Sequence, residues 1–157
     1  MKNFDSKKEQ NNCDSEKKIM VSPCGVDCGS CLAHTVKEDN SMIIDKLVSL
    51  GIKREDIPCK GCRPLEGHCP TINSDCENYE CAKNKGVDFC FECGDFPCSK
   101  LMPAADRANT LVHNMKMFNL CFIQKHGLDK WLEETPRIKK TYYTGKITYG
   151  KGPKCED

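Results

Sequence analysis

PCGVDCGSC, residues 23–31, spaces Cys24, Cys28 and Cys31 as C-x3-C-x2-C. Three thiols so close in sequence are either ligands of one metal or cluster, or members of a larger cysteine scaffold. The rest of the chain favours the second reading. Eleven of its fourteen cysteines lie between Cys24 and Cys98: Cys24, Cys28, Cys31, Cys59, Cys62, Cys69, Cys76, Cys81, Cys90, Cys93 and Cys98. Six of them form three C-x2-C pairs, namely Cys28/Cys31, CKGC at Cys59/Cys62 and CFEC at Cys90/Cys93. A two-residue gap lets both sulfurs turn toward one ion at about 2.3 Å, and glycine in Lys60-Gly61 tolerates the positive φ of so tight a turn. Two such pairs close a tetrahedral Cys₄ site, the usual structural zinc arrangement.

The bulk numbers bound the alternatives. A chain of 157 residues is read as one domain with a modest core. Cysteine at about 9% matches the scaffolds of short secreted chains. The N-terminus, MKNFDSKKEQNNCDSEKK, nevertheless has no apolar h-region, so no signal peptide is visible. No stretch approaches the ~18 apolar residues of a membrane span. The expected location is cytoplasmic, where stable disulfides are rare and clustered thiols bind metal. The formal charge of +1 counts every cysteine as neutral. Two Cys₄ zinc sites would carry it to about −3, a poor field for non-specific nucleic-acid binding.

Along the chain, residues 1–18 are polar and aperiodic and read as a disordered tail, with Cys13 a bystander. Residues 19–157 read as a single domain: a cysteine-rich metal-binding part over 19–98, a helical part over 99–135 and a basic tail or hairpin over 136–157. Within the first part, Ser41 caps a helix whose Ile44, Leu47 and Val48 share a face and which ends at Gly51. A short helix is expected near Glu77 to Lys85, closed by Gly86. From Ala104 to His126, Leu111, Met115, Phe118 and Phe122 recur at helical spacing until Gly127. LDKWLEET then makes a short amphipathic helix that stops before Pro136. TYYTGKITY, residues 141–149, has strand formers on both sides of Thr144-Gly145, which fits a hairpin. The expected fold class is a small α+β protein, mostly α and irregular, with a metal-stabilised N-terminal region.

Counting thiols points to two zinc ions, with three cysteines left over and one or three ions as the alternatives. The favoured division sets Cys28/Cys31 with Cys59/Cys62, and Cys90/Cys93 with Cys76/Cys81, Cys24 and Cys98 being the first substitutes. Cys69 is equally a ligand or a buried small hydrophobe, and Cys121, inside the helical stretch, reads as the latter. An iron–sulfur cluster or a thiol-redox centre on the same cysteines is the alternative cofactor reading, because thiolates suit iron as well as zinc. The opening spacing is also that of radical S-adenosylmethionine enzymes. Those need a large α/β barrel, typically ~250 residues, and the alternating strand–helix pattern of one is missing here.

CGVDCGSC (24–31), CKGCR (59–63), CENYECAKNKGVDFCFECGDFPC (76–98) and HGLDKWLEE (126–134) together resemble a small prokaryotic cysteine-rich family catalogued only as a domain of unknown function. The resemblance spans roughly residues 20 to 135, in order, spacing and the FPC ending. It implies a bacterial or archaeal cytosolic protein that binds metal through Cys24, Cys28, Cys31, Cys59, Cys62, Cys76, Cys81, Cys90, Cys93 and Cys98, with no assigned reaction. Relatives carry an aromatic residue at the position of His34 and a further C-terminal cysteine pair, of which only Cys155 stands here.

Other candidates have plainer readings. His34 (C-x2-H after Cys31) and His68, beside Cys69, could ligate, but four cysteines per site make them superfluous. His113 and His126 read as polar-face residues. There is no G-x-S-x-G, P-loop or dinucleotide loop, so no catalytic residue is assigned. The tail from Pro136 to Lys154 holds Arg137, Lys139, Lys140, Lys146, Lys151 and Lys154, three tyrosines and no acid. It is a weak nucleic-acid candidate, and a hairpin with lysine-guarded edges explains the same letters. Phe89, Phe91 and Phe96 are expected to wall the thiolates from water. The sequence thus reads as a zinc-binding protein, the metal chiefly structural, with an interaction role and a protein partner left open and no membrane association.

Overall fold

The computed structural model describes residues 15–155. Cys13 and most of the tail expected over residues 1–18 lie outside the described residues. The remainder of that stretch is helical over residues 15–19 and tied down, Lys17 reaching Asp129 and Lys18 reaching Asp88. The fold is small α+β, mostly helical and irregular, as the sequence suggests. In order it comprises α1 (Leu32–Thr35), α2 (Ser41–Ser49), the two-residue strands β1 (His68–Cys69) and β2 (Ser74–Asp75), α3 (Glu77–Asn84), α4 (Met115–His126), α5 (Leu128–Thr144), β3 (Lys146–Thr148) and β4 (Gly152–Lys154). Short 3₁₀ turns at Cys90–Glu92, Ser99–Leu101 and Val112–Asn114 join the cysteine-rich part to α4. Both strand pairs are antiparallel hairpins, with His68 opposite Asp75 in one and Lys146 opposite Lys154 in the other. Among the described residues no helix is long and apolar enough to cross a membrane.

Two apolar clusters hold these pieces. The larger gathers Val21, Cys24, Phe89, Leu101, Met115, Leu120, Ile123, Trp131 and Ile138, so the first turns of the cysteine-rich part pack directly on α4 and α5. The smaller, Ala33, Val36, Ile44, Leu47 and Ile52, lies between α1 and α2.

Local rules place most of the helices, with instructive exceptions. In α2 the capping side chain is Asn40, which accepts from the Ile43 N–H, and Ser41 is the first helical residue. Ile44 and Leu47 are buried as expected, whereas Val48 is largely exposed. Gly51, at φ +95°, and the bond from Ile52 N–H to the Leu47 carbonyl close the helix in the left-handed manner that glycine permits. α3 ends the same way at Gly86.

The long helix expected from Ala104 is shorter, beginning at Met115, because residues 104–111 form irregular turns. Its buried face is not the apolar stripe read from sequence. Met115, Lys116, Asn119, Leu120 and Ile123 point inward, while Leu111 and Phe118 are exposed. The reason is a polar requirement. Asn119 Nδ2 donates 2.8 Å to the Gly25 carbonyl, so the helix turns an amide toward the thiol loop and leaves Phe118 exposed, with Phe122 half-buried between Phe118 and His126 in tilted ring contacts.

α5 does not stop before Pro136 but runs through it to Thr144. Proline removes one helical hydrogen bond at a cost of about 3 kcal/mol in a free helix. Here Trp131, Thr135 and Ile138 are buried on either side of it, and Tyr142 Oη donates 2.7 Å to the Ala108 carbonyl, so tertiary packing carries the helix across. The hairpin consequently lies further along than expected, with its turn at residues 149–151 rather than at Thr144-Gly145.

Lys139, one of the tail's cations, belongs to the core of this arrangement. Its Nζ lies 3.8 Å from the buried Asp27 carboxylate and donates 3.2 Å to the Ser30 carbonyl, tying α5 to the opening CGVDCGSC loop. Lys139→Ala is expected to lower stability by about 2 kcal/mol, because the buried carboxylate loses its cation. Denaturant titration checks it, and Lys140→Ala, whose side chain has no such partner among the described residues, serves as the control.

Gly25 shows how tightly the loop sits. It holds φ +84°, and a Cβ there would stand 2.7 Å from the Lys116 carbonyl oxygen and 2.9 Å from Leu120 Cγ. Gly25→Ala therefore combines left-handed strain with overlap against helical backbone, and a loss of about 3 kcal/mol is expected in thermal or chemical unfolding.

Candidate metal centre

The thiols are positioned by backbone hydrogen bonds rather than by long elements. Cys31 precedes α1, and its carbonyl accepts from the N–H groups of His34 and Thr35. The CKGC loop docks on the same helix: Cys59 N–H donates 2.7 Å to the Ala33 carbonyl, and His34 Nδ1 donates 2.6 Å to the Cys59 carbonyl. Cys31 and Cys59 thereby pack side by side on the smaller apolar cluster. Gly61, at φ +93°, turns the loop back so that its N–H points at Cys59 Sγ, 3.4 Å away.

From Cys62 the chain returns through two further bonds. Gly67 N–H donates to the Cys62 carbonyl, and Cys76 N–H donates to the Gly67 carbonyl. These bring the β1–β2 hairpin, and with it Cys69 and Cys76, beside Cys62. Gly67 has no room for a side chain, since a Cβ would meet the Tyr79 ring at 2.6 Å. Cys76 stands at the start of α3, which carries Cys81 one turn later. In the Cys90–Glu92 turn the Glu92 carboxylate accepts from the N–H groups of Asp88 and Phe89. Cys90 N–H donates 2.9 Å to the Pro23 carbonyl, and Asp95 N–H points at Cys93 Sγ, 3.4 Å away. Cys98 opens the Ser99–Leu101 turn, whose Leu101 is anchored in the larger cluster.

Thirteen cysteines are described, and all are free thiols. Burial pushes the Cys28 thiol up to about 12; the Cys62 backbone N–H works against this, and the neighbouring Cys31, Cys24 and Cys59 add to it. Cys62 is raised further, by burial and then by Cys28, Cys24, Cys76 and Cys69. Burial likewise raises Cys59, with Cys31 and Cys69 as its thiol neighbours. Cys90 is pushed up to about 12 by burial, then by Cys24, Cys98, Cys81 and Cys93. Backbone hydrogen bonds bring the β1–β2 hairpin, with Cys69 and Cys76, to the loop of Cys62, and Cys90 and Cys98 pack with Cys24 in the larger apolar cluster. Among the described residues no three Cys, His, Asp or Glu side chains converge closely enough to enclose an ion.

The remaining candidates separate cleanly. His34 is held through Nδ1, which donates to the Cys59 carbonyl. His68 pairs across the hairpin with Asp75, Nδ1 to Oδ1 at 3.0 Å. His113 Nε2 donates to the Met102 carbonyl, and His126 stacks on Phe122. Cys121, expected to be buried, is exposed, because α4 turns Asn119 and Leu120 inward instead. Cys155 is half-buried near Thr141 and Thr144. Phe89 stacks on Phe91 at 5.3 Å, and both, with Phe96, pack in the cluster that contains Cys24, Cys90 and Cys98.

Sequence reasoning gave no role to Arg63, although it follows CKGC directly. Its Nε donates 3.0 Å to both the Lys18 and Val21 carbonyls, its Nη2 donates 2.7 Å to the Asp88 carbonyl, and its guanidinium lies 5.0 Å over the Phe89 ring. One side chain therefore joins three segments that bear cysteines. A basic residue immediately after a ligand pair was the only signal in the letters, and it does not specify carbonyl partners 25 to 45 residues away.

No curated protein and no solved structure matches the chain. One family does, described as "Protein of unknown function (DUF3795)", over residues 20–103, which contain all eleven clustered cysteines. With more than half of its length matched, the chain belongs to this family of unknown function, and its cysteine-rich part is the family's domain.

Proposed function

We propose that this chain is a zinc-binding protein in which the metal, most simply two ions, is structural and orders the cysteine-rich part. The observation that carries the reading is that eleven free thiols, one buried and ten half-buried, lie within residues 24–98, two of them with a backbone N–H directed at sulfur, Gly61 to Cys59 and Asp95 to Cys93. Ionising several such thiols together is unfavourable without a cation between them. A divalent, thiophilic ion removes the repulsion, and peptide N–H groups stabilise the thiolates it holds. The donor chemistry fits zinc. Cys28, Cys31, Cys59 and Cys62 would hold one ion and Cys81, Cys90, Cys93 and Cys98 the other, with Cys24, Cys69 and Cys76 adjacent. Bound there, zinc supplies cross-links that the small apolar cluster around Ile44 does not.

Elemental analysis of untagged full-length protein prepared without oxygen tests this. Colourless protein with about two zinc ions per chain is expected. Brown protein with iron and acid-labile sulfide would assign the same cysteines to an iron–sulfur cluster and overturn the zinc reading.

A further inference from the structure

The end of α5 and the β3–β4 hairpin carry a surface that the zinc reading leaves unused. Six cations stand between Pro136 and Lys154 with no acid among them, and Glu156 and Asp157, which follow, lie outside the described residues. The fold employs two of the six. Lys139 reaches Asp27, and Arg137 pairs with Glu134. Lys140, Lys151 and Lys154 are exposed and have no acidic partner among the described residues. Lys146 stands directly opposite Lys154 across the hairpin, so two cations share one of its faces. Like charges so placed repel, and an anion seated between them turns the repulsion into attraction.

Two aromatic rings accompany these cations. Tyr149, in the hairpin turn, is 99% exposed, and Tyr143 is 42% exposed. Tyr143 is braced from behind, meeting Tyr142 edge-on with centroids 4.9 Å apart, and Tyr142 is anchored by its bond to the Ala108 carbonyl. Lys140 lies one helical turn before Tyr143 on the same strip of α5, and Lys151 lies in the same turn as Tyr149. Each ring therefore has a cation near it. The short stretch of chain from Tyr143 to Tyr149 spans at most about 20 Å, the reach of a few nucleotides.

That combination selects a chemistry. Rings in water beside cations suit a polymer that offers phosphates and free base faces in alternation, which is an unpaired nucleic-acid strand. A duplex keeps its bases stacked inside and leaves the rings nothing to stack on. An anionic bilayer needs a larger apolar face than Ile147 and Tyr149 supply, with Lys146, Lys151 and Lys154 around them. Charge elsewhere on the chain matters little, because salt screens it beyond about 10 Å.

We propose that the end of α5 and the β3–β4 hairpin bind single-stranded nucleic acid, with Tyr143 and Tyr149 stacking on bases and Lys140, Lys146, Lys151 and Lys154 holding the phosphates. This surface lies outside residues 20–103 and takes no metal ion, so the proposal and the zinc reading stand or fall separately.

Fluorescence anisotropy decides it, using the full-length protein with labelled single-stranded DNA and RNA of about 12 nucleotides and the matching DNA duplex. Sedimentation with vesicles of phosphatidylcholine and phosphatidylserine covers the bilayer. Binding to the single strand is expected, weakening about 50-fold between about 50 and 200 mM salt as four phosphate contacts require. Either strand supports the proposal, and the tighter of DNA and RNA identifies the sugar. Tyr149→Ala should weaken binding about tenfold, and Tyr149→Phe, which keeps the ring, should bind like the wild type. Neither change removes packing, since the Tyr149 side chain is almost wholly in water. A duplex bound as tightly as the single strand, a Tyr149→Ala variant that binds like the wild type, protein that sediments with vesicles but leaves the oligonucleotides free, or no binding of either strand at the lower salt overturns it.

Discussion

With zinc structural as proposed, treating the full chain with a chelator is expected to unfold most of residues 20–103, with loss of helical circular dichroism and a red shift of tryptophan fluorescence. Binding free energy of structural zinc is folding free energy, on the order of 10 kcal/mol per ion at neutral pH. Between residues 31 and 75 the region has little other support. α1 has four residues, β1 and β2 have two each, and only five buried residues form the smaller cluster. The single tryptophan, Trp131, reports from the helical side, since its fully buried ring shares a cluster with Val21, Cys24 and Phe89. Loss of order around the thiols should therefore reach Trp131 even though α5 carries no clustered cysteine. Zinc added back should restore both signals. A chelated chain with an unchanged spectrum would contradict the structural role of the metal.

Arg63→Ala is expected to be the most damaging single substitution outside the cysteines, at about 4 kcal/mol. It removes three hydrogen bonds to carbonyls and a guanidinium stacked on Phe89, and it leaves the carbonyls of Lys18, Val21 and Asp88 to find other donors. Arg63→Lys should recover little of the loss, because one ammonium cannot span three carbonyls in a plane and stack on a ring as well. The denaturation midpoint of the metal-loaded protein is the measurement. A lysine variant as stable as the wild type would show that charge, and not the fork, is what the position requires.

Several parts of this molecule were legible from local chemistry. The helix ends at Gly51, Gly86 and Gly127 could be read because a positive φ after a helical run costs glycine least. The C-x2-C spacing is itself local, with a glycine inside CGSC and CKGC but not inside CFEC. Misreadings occurred where a distant partner decided the outcome. Phe118 and Leu111 look like core by periodicity. The helix instead presents Asn119, whose partner is the Gly25 carbonyl 94 residues earlier. Pro136 looks like a stop, yet burial of Trp131 and Ile138 on either side outweighs one missing helical hydrogen bond.

The letters alone determined that thiols crowd the first hundred residues, that short helices flank them and that the chain carries the pattern of its family, because each of these depends on spacing within a few residues. Only the folded chain decided which thiols are neighbours, returning Cys76 through Gly67 to the Cys62 loop and packing Cys90 and Cys98 with Cys24 in the larger cluster. It also gave Arg63 and Lys139 their tasks. Such pairings are set by hydrogen bonds and burial between segments far apart in sequence, and no local spacing encodes where a carbonyl or a carboxylate will arrive.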